Sequence, residues 1–156
     1  MTTWIYQVNP ARFDVNGCLA EAPARVAWSA SQYKKDMKPN NQVFVWRAKA
    51  DGTHGDPGII AEFAIDSFVT RMPADSLTRR FSRGTDPTGD IDRVWLRIIS
   101  IAMENSVLTA GEIARHELLK KVGPLGFNYR AHYKVSADQS HALNSLWAGR
   151  TKHSSP

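Results

Sequence analysis

Histidine, cysteine and carboxylate side chains can move protons, attack carbonyls or hold metals, and their spacing in this chain fits none of those tasks. The histidines are His54, His116, His132, His141 and His153. None has a second histidine or a carboxylate at a familiar metal-ligand interval. His116-Glu117 falls in a helical stretch, but no second histidine follows one turn later to share its face. It reads as an ordinary surface pair. Cys18 follows Gly17, and a thiol nucleophile needs a base beside it that sequence cannot place, so a buried or incidental thiol is the simpler reading. A single cysteine cannot close an internal disulfide or build a cysteine zinc cluster. Asp51, Asp56 and Asp66 fall at loop and strand ends, where solvation explains them. The chain has no glycine-rich phosphate loop and no dinucleotide fingerprint. These absences move the expectation from catalysis to binding: no enzyme, no cofactor, no metal.

Aromatic and basic side chains are plentiful instead. The 156 residues hold 5 tryptophans, carry a net charge of +5 and have a pI near 9.6. Large aromatics serve cores, interfaces and base-stacking surfaces. A basic balance is compatible with phosphate backbones. Arg79-Arg80-Phe81-Ser82-Arg83 interleaves cations with an aromatic, inside a turn-rich stretch over 71–89 that contains Pro73, Gly84, Pro87 and Gly89. That pattern suits contact with a nucleic-acid strand, and a solvated charge run reads from it as well. Lys34, Lys35 and Arg47 are further candidates for phosphate contact, Arg47 with a solvated strand face as its alternative.

These side chains must be positioned by the elements that periodicity predicts. Alternation over 3–8 predicts a strand with Trp4, Tyr6 and Val8 on one face and Ile5, Gln7 and Asn9 on the other. Pro10 ends it, because proline cannot donate to a ladder. Residues 14–21 read as a short helix, 25–29 as an extended piece, and 34–41 as a polar, turn-bearing segment. Residues 42–49 predict a strand with Val43 and Val45 on one face, Phe44 and Trp46 on the other, hairpinned to a strand over 59–66. Residues 92–101 predict another strand. Thr109 and Glu112 have the spacing of a capping box for a helix over 109–121. A short strand over 129–135 follows. Ser136 and Gln139 then cap a helix that places Leu143, Leu146 and Trp147 on one face and stops at Gly149. The whole predicts an α+β domain over 1–149, a small, mostly antiparallel β-barrel with flanking short helices, and a flexible tail over 150–156. No apolar run approaches the roughly 20 residues of a membrane helix. The N-terminus lacks signal-peptide character, and a cytoplasmic protein with no membrane partner is expected.

Four ordered blocks resemble one family. Trp4-Ile5-Tyr6-Gln7-Val8-Asn9-Pro10 resembles the opening strand of EVE domains. Trp28-Ser29, then Asp36-Met37-Lys38-Pro39, then Val43-Phe44-Val45-Trp46-Arg47 resembles the next block. Pro57-Gly58-Ile59-Ile60-Ala61 with Ile65-Asp66-Ser67 resembles a third, and the stretch from Tyr133 to Trp147 the closing strand and helix. EVE domains belong to the PUA-like superfamily, with YTH domains. The resemblance implies a PUA-like barrel and an aromatic pocket for one modified base, such as 5-methylcytosine or 5-hydroxymethylcytosine, flipped out of DNA. An RNA-binding domain and a small nucleobase-processing enzyme are the alternatives. A restriction nuclease or another modification-dependent effector is an implied partner.

Carried over residue by residue, the resemblance makes Trp28 the first pocket wall, with a core tryptophan as its alternative. It makes Ser29 and Asn9 readers of the base edge; a cap or turn role suits both equally, and EVE proteins often carry Glu where Asn9 stands. Related pockets complete their cage near Phe68 and Phe81, usually with a tryptophan, which this chain lacks there. The second wall therefore stays open between Phe81, Phe68 and Trp46. Arg79, Arg80, Arg83, Arg47, Lys34 and Lys35 are the expected contacts to the backbone.

Overall fold

The alternation over Trp4-Ile5-Tyr6 and Val43-Phe44-Val45-Trp46 sets the architecture, and both of its faces are buried. A computed structural model describes residues 1–50, 55–84, 87–102, 104–126, 131–150 and 152–154. Its strands are β1 (Thr3–Val8), β2 (Arg25–Ser29), β3 (Gln42–Arg47), β4 (Gly58–Ile65), β5 (Thr70–Met72), β6 (Ile91–Ala102), β7 (Leu108–Thr109), β8 (His132–Val135) and β9 (Lys152–Ser154). Its helices are α1 (Val15–Ala20), α2 (Ser76–Phe81), α3 (Ala110–Ala114) and α4 (Ala137–Ala148).

The strands form one sheet in the order β2-β6-β4-β3-β1-β8, with β5 and β9 added to β6 and β7 to β4. Only β1 and β3 pair in parallel among the described ladders. One face gathers Trp4, Tyr6, Val43, Val45, Phe63, Leu96 and Trp28 into an inner core. The other gathers Ile5, Phe44, Trp46, Ile59, Leu143 and Trp147 under α3 and α4. Every residue of β3 is buried for that reason, as in a strand covered on both sides.

The expected α+β fold with a mostly antiparallel sheet stands; no ladder joins β2 to β8 among the described residues, so closure of the expected barrel is not seen. The edge donors are taken by side chains. The Ala27 amide of β2 donates to Asp75 Oδ1 at 3.0 Å, and the His132 amide of β8 donates to Gln32 Oε1 at 3.3 Å. A backbone donor so satisfied has nothing left for a neighbouring strand. The two edges are tied instead through the His132 ring, whose Nε2 lies 3.0 Å from the Ser29 carbonyl oxygen.

Three segments differ from their periodicity. The stretch over 71–89 contains β5 and α2, because Asp75 caps the helix on Thr78 and buried Arg93 gathers the carbonyls of Met72, Pro87 and Gly89 at 2.9–3.2 Å. The helix that opens at Thr109 ends at Ala114, after which three-residue turns carry the chain through Arg115 and His116. Lys152–Ser154, in the expected tail, pair with Ser100–Ala102 of β6. The Ser136–Gln139 capping box forms as spaced, and α4 lays Leu143 and Trp147 on the outer face.

Candidate nucleic-acid interface

Trp28 lies on β2 and points into the inner core, 7 % exposed. Phe13 meets it edge-on at 5.5 Å between centroids, and Phe63 lies tilted at 5.2 Å. Its indole Nε1 has no hydrogen-bond partner among the described residues. A buried donor left unpaired costs about 1–3 kcal/mol.

Phe13 is held over Trp28 by a joint between two segments. Asn9 turns the chain after β1: its backbone oxygen accepts from Arg12 and Phe13, and its side-chain oxygen accepts from the Ala11 amide at 3.0 Å. The segment then meets the end of α2. The Asp14 amide donates to Phe81 O and the Arg83 amide to Arg12 O, both at 2.8 Å, and Phe13 bridges Ser82. Arg83 adds Nη1 to Pro10 O at 2.9 Å and an ion pair with Asp14 at 3.3 Å. Phe81 packs against the inner core beside Gly17, where an added Cβ would meet the Phe81 ring at 2.8 Å. Arg80 lies over the Phe81 ring at 4.9 Å and pairs with Glu21. Arg12 and Arg79 are exposed.

The joint contains Asn9, Phe81 and Arg83 and holds Phe13 over Trp28, with Arg80 on the Phe81 ring, Arg79 exposed on α2 and Ser29 next to Trp28 in β2. The remaining candidates lie elsewhere. Trp46 is 3 % exposed on the outer face, so the sheet separates it from Trp28. Arg47 is 5 % exposed, with Nη1 donating to Asn16 Oδ1 and Nη2 to Asp56 O, both at 2.8 Å, so its guanidinium is engaged within the fold. Phe68 is 66 % exposed between β4 and β5. Ser29 and Thr70 pair with opposite edges of Arg93, so β6 stands between Trp28 and the strand that follows Phe68. Lys34 pairs with Asp92, and its hydrogen bond holds that carboxyl below the usual carboxylate range. Lys35 is exposed on its turn.

His132 is the residue that spacing missed. It is 2 % exposed, opposite Tyr6 in the β1–β8 ladder, with ring centroids 4.3 Å apart. A carbonyl oxygen only accepts, so Nε2 carries the hydrogen toward Ser29, and Nδ1 is left as an acceptor without a partner. Nothing local in His132-Tyr133-Lys134-Val135 marks this, since the contact spans 103 residues. Burial lowers the His132 pKa from 6.5 to about 4. The unfolded chain therefore takes up this proton first as pH falls, and the folded state loses stability between pH 6.5 and about 4, by up to about 3 kcal/mol. Chemical unfolding at pH 7 and pH 4.5 measures the loss, and His132→Gln is expected to shrink it; an equal loss in the variant refutes the assignment.

Cys18 is fully buried, and burial, with Asp75 next, pushes its thiol up to about 12, so it stays protonated near neutral pH. A groove of about 670 Å³ opens between the start of β1 and α4. Its polar groups already bond one another, Thr3 to Gln42 and Ser140, and Asn144 to Gln42. No group of three or more metal-ligating side chains occurs among the described residues.

No family model matches the sequence, and no curated protein matches it. Solved structures do match. A protein from Agrobacterium tumefaciens superposes with a TM-score of 0.65 at 12% identity, over 100% of this chain and 99% of that one. Human THYN1, solved in complex with 5-methylcytosine-containing DNA, gives 0.63 at 13% identity, over 94% and 98%. The YTH domain of Zygosaccharomyces rouxii MRB1, in complex with N6-methyladenosine RNA, gives 0.53 at 9% identity, over 93% and 86%. The chain thus shares its overall fold with this YTH domain and with the DUF55 domain of human thymocyte nuclear protein 1.

Proposed function

We propose that the chain is a reader of a modified base in DNA, 5-methylcytosine, 5-hydroxymethylcytosine or a similar mark, and performs no chemistry of its own. The observation that carries this reading is the Trp28 indole, walled by Phe13 and Phe63 beside an arginine-bearing joint. It gains support from a fold shared with THYN1, which was solved with 5-methylcytosine DNA.

The base must first leave its stack, at a cost of a few kcal/mol. It then needs Phe13 to move, because Trp28 is covered. That movement is local: Phe13 hangs on the 9–14 segment, whose ties to α2 are few backbone bonds and the Arg83 contacts. Stacking on the indole returns about 1–3 kcal/mol. Arg12, Arg79 and Arg83 bring cations to the phosphates on either side, which makes the affinity salt-dependent. A methyl group in an apolar notch adds about 1–3 kcal/mol of discrimination.

Single-stranded oligonucleotides that differ only at one cytosine are the test, titrated at one salt concentration. The modified strand is expected to bind about tenfold or more tightly than the plain one. Equal affinities overturn the reading. An RNA reader is the second possibility, favoured by the YTH complex with N6-methyladenosine RNA, and competition between matched RNA and DNA strands decides between them. A nuclease or other effector would act on what this domain marks, and co-purification with modified DNA present tests for one.

A further inference from the structure

Two buried nitrogens, one on the residue before Ser29 and one on the ring bonded to its carbonyl, lack hydrogen-bond partners among the described residues. Trp28, the residue before it, keeps an indole N–H that donates to nothing. His132, bonded to the Ser29 carbonyl through Nε2, keeps an Nδ1 lone pair that accepts nothing. Both side chains are more than nine-tenths buried, at 7 % and 2 % exposure. The first is a donor only and the second an acceptor only, because the bond to Ser29 fixes the tautomer of the neutral ring. Buried polar groups are nearly always paired, so two complementary orphans on either side of one residue call for a common explanation.

We propose that His132 and the Trp28 indole N–H are the pair that reads the edge of the captured base: Nδ1 accepts a hydrogen from a nitrogen of the base, and Nε1–H donates to its ring nitrogen or carbonyl. This rests on the pocket reading above and deepens it by naming the groups that select. Every Watson–Crick edge offers a donor beside an acceptor, so the pair fixes how a base sits while the surrounding wall senses the modification. Ser29 then acts as the positioning residue: its carbonyl holds the imidazole by Nε2 and thereby leaves Nδ1 as the lone-pair side. Tyr6 supports the ring from the adjacent strand, and its own hydroxyl is occupied with Met37 Sδ at 3.0 Å.

The test uses the full chain labelled with nitrogen-15 and a single-stranded DNA carrying one 5-methylcytosine, with 5-hydroxymethylcytosine and N6-methyladenine strands as further arms. On saturation with whichever strand binds, the Trp28 indole proton is expected to move downfield and the His132 Nδ1 resonance upfield, as each gains a partner. Trp28→Phe assigns the indole signal, and it keeps a ring for stacking while removing the donor. His132→Gln keeps an N–H for the Ser29 carbonyl and removes the acceptor at the Nδ1 position. Each variant is expected to bind about tenfold more weakly, measured at a temperature where circular dichroism shows it folded. Tight binding with neither resonance shifted overturns the assignment and leaves the pocket reading intact. Binding of no strand at all overturns both. If a variant fails to fold, the resonance shifts of the unmodified protein still decide.

Discussion

Trp28→Ala is expected to abolish preference for a modified base and to lower stability by about 3–5 kcal/mol. The stability loss follows from packing alone. The indole is 7 % exposed, meets Phe13 and Phe63 at 5.5 and 5.2 Å, and sits in a cluster that continues through Val94 and Leu96. Its removal leaves a hole that neighbours on a paired strand cannot close, because β2 is locked to β6 by five residue pairs. The loss is offset in part, since the unpaired Nε1 leaves with the ring. The functional loss follows from the proposed pocket: without the indole a flipped base has nothing to stack on at this wall. Urea unfolding gives the first quantity, and the ratio of affinities for modified and plain oligonucleotides gives the second. A folded variant that keeps the ratio places the pocket elsewhere.

Much of the frame was legible because it rests on local rules. Two-residue alternation assigned the faces of β1 and β3 correctly, and the Ser136–Gln139 spacing located α4. What periodicity could not supply were features made by partners distant in sequence. Asp75 and Gln32 each satisfy one edge amide, on β2 and β8, and neither residue carries a mark of that role. Met72, Pro87 and Gly89 are gathered by Arg93, a residue whose type suggests solvent and which is buried. Arg47 teaches the same lesson. In the sequence it is a cation at a strand end, and in the fold it clamps α1 to the loop before β4 through Asn16 and Asp56.

The site divides along the same line. Trp28, Ser29 and the arginines after Thr78 could be named from the resemblance and from composition, and the fold brings the Trp28 wall and the α2 arginines to one joint. Phe13 and His132 could not. Phe13 follows a proline turn that seemed only to end a strand, and His132 has no catalytic or metal-binding companion in sequence. Their positions depend on contacts distant in sequence: the 9–14 segment meets the α2 end, and the His132 ring of β8 reaches the Ser29 carbonyl of β2. Asn9 shows the opposite outcome, with its side-chain oxygen engaged by Ala11 in the turn that its position before Pro10 favours.

Trp46→Ala separates fold from function. Trp46 is 3 % exposed, as buried as Trp28 in practice, and it lies in the outer cluster with Ile59, Leu143 and Trp147. Its neighbour Phe44 meets Trp147 of α4 edge-on at 6.1 Å, so the residues around it carry the docking of that helix. A shift of register between Val45 and Trp46 fixes the local path of β3, which limits how far the backbone can relax into a vacated volume. The expected cost is again about 3–5 kcal/mol. Against the 5–15 kcal/mol of a typical domain this is large, but it leaves a folded fraction that can be titrated in the cold. The ratio of affinities for modified and plain strands should nevertheless stay that of the parent, since the β-sheet lies between this side chain and Trp28. Equal destabilisation with opposite effects on that ratio would tie base reading to the inner face. Loss of the ratio in a folded Trp46→Ala protein would instead mean that the two faces are coupled through β3, and that the site extends across the sheet.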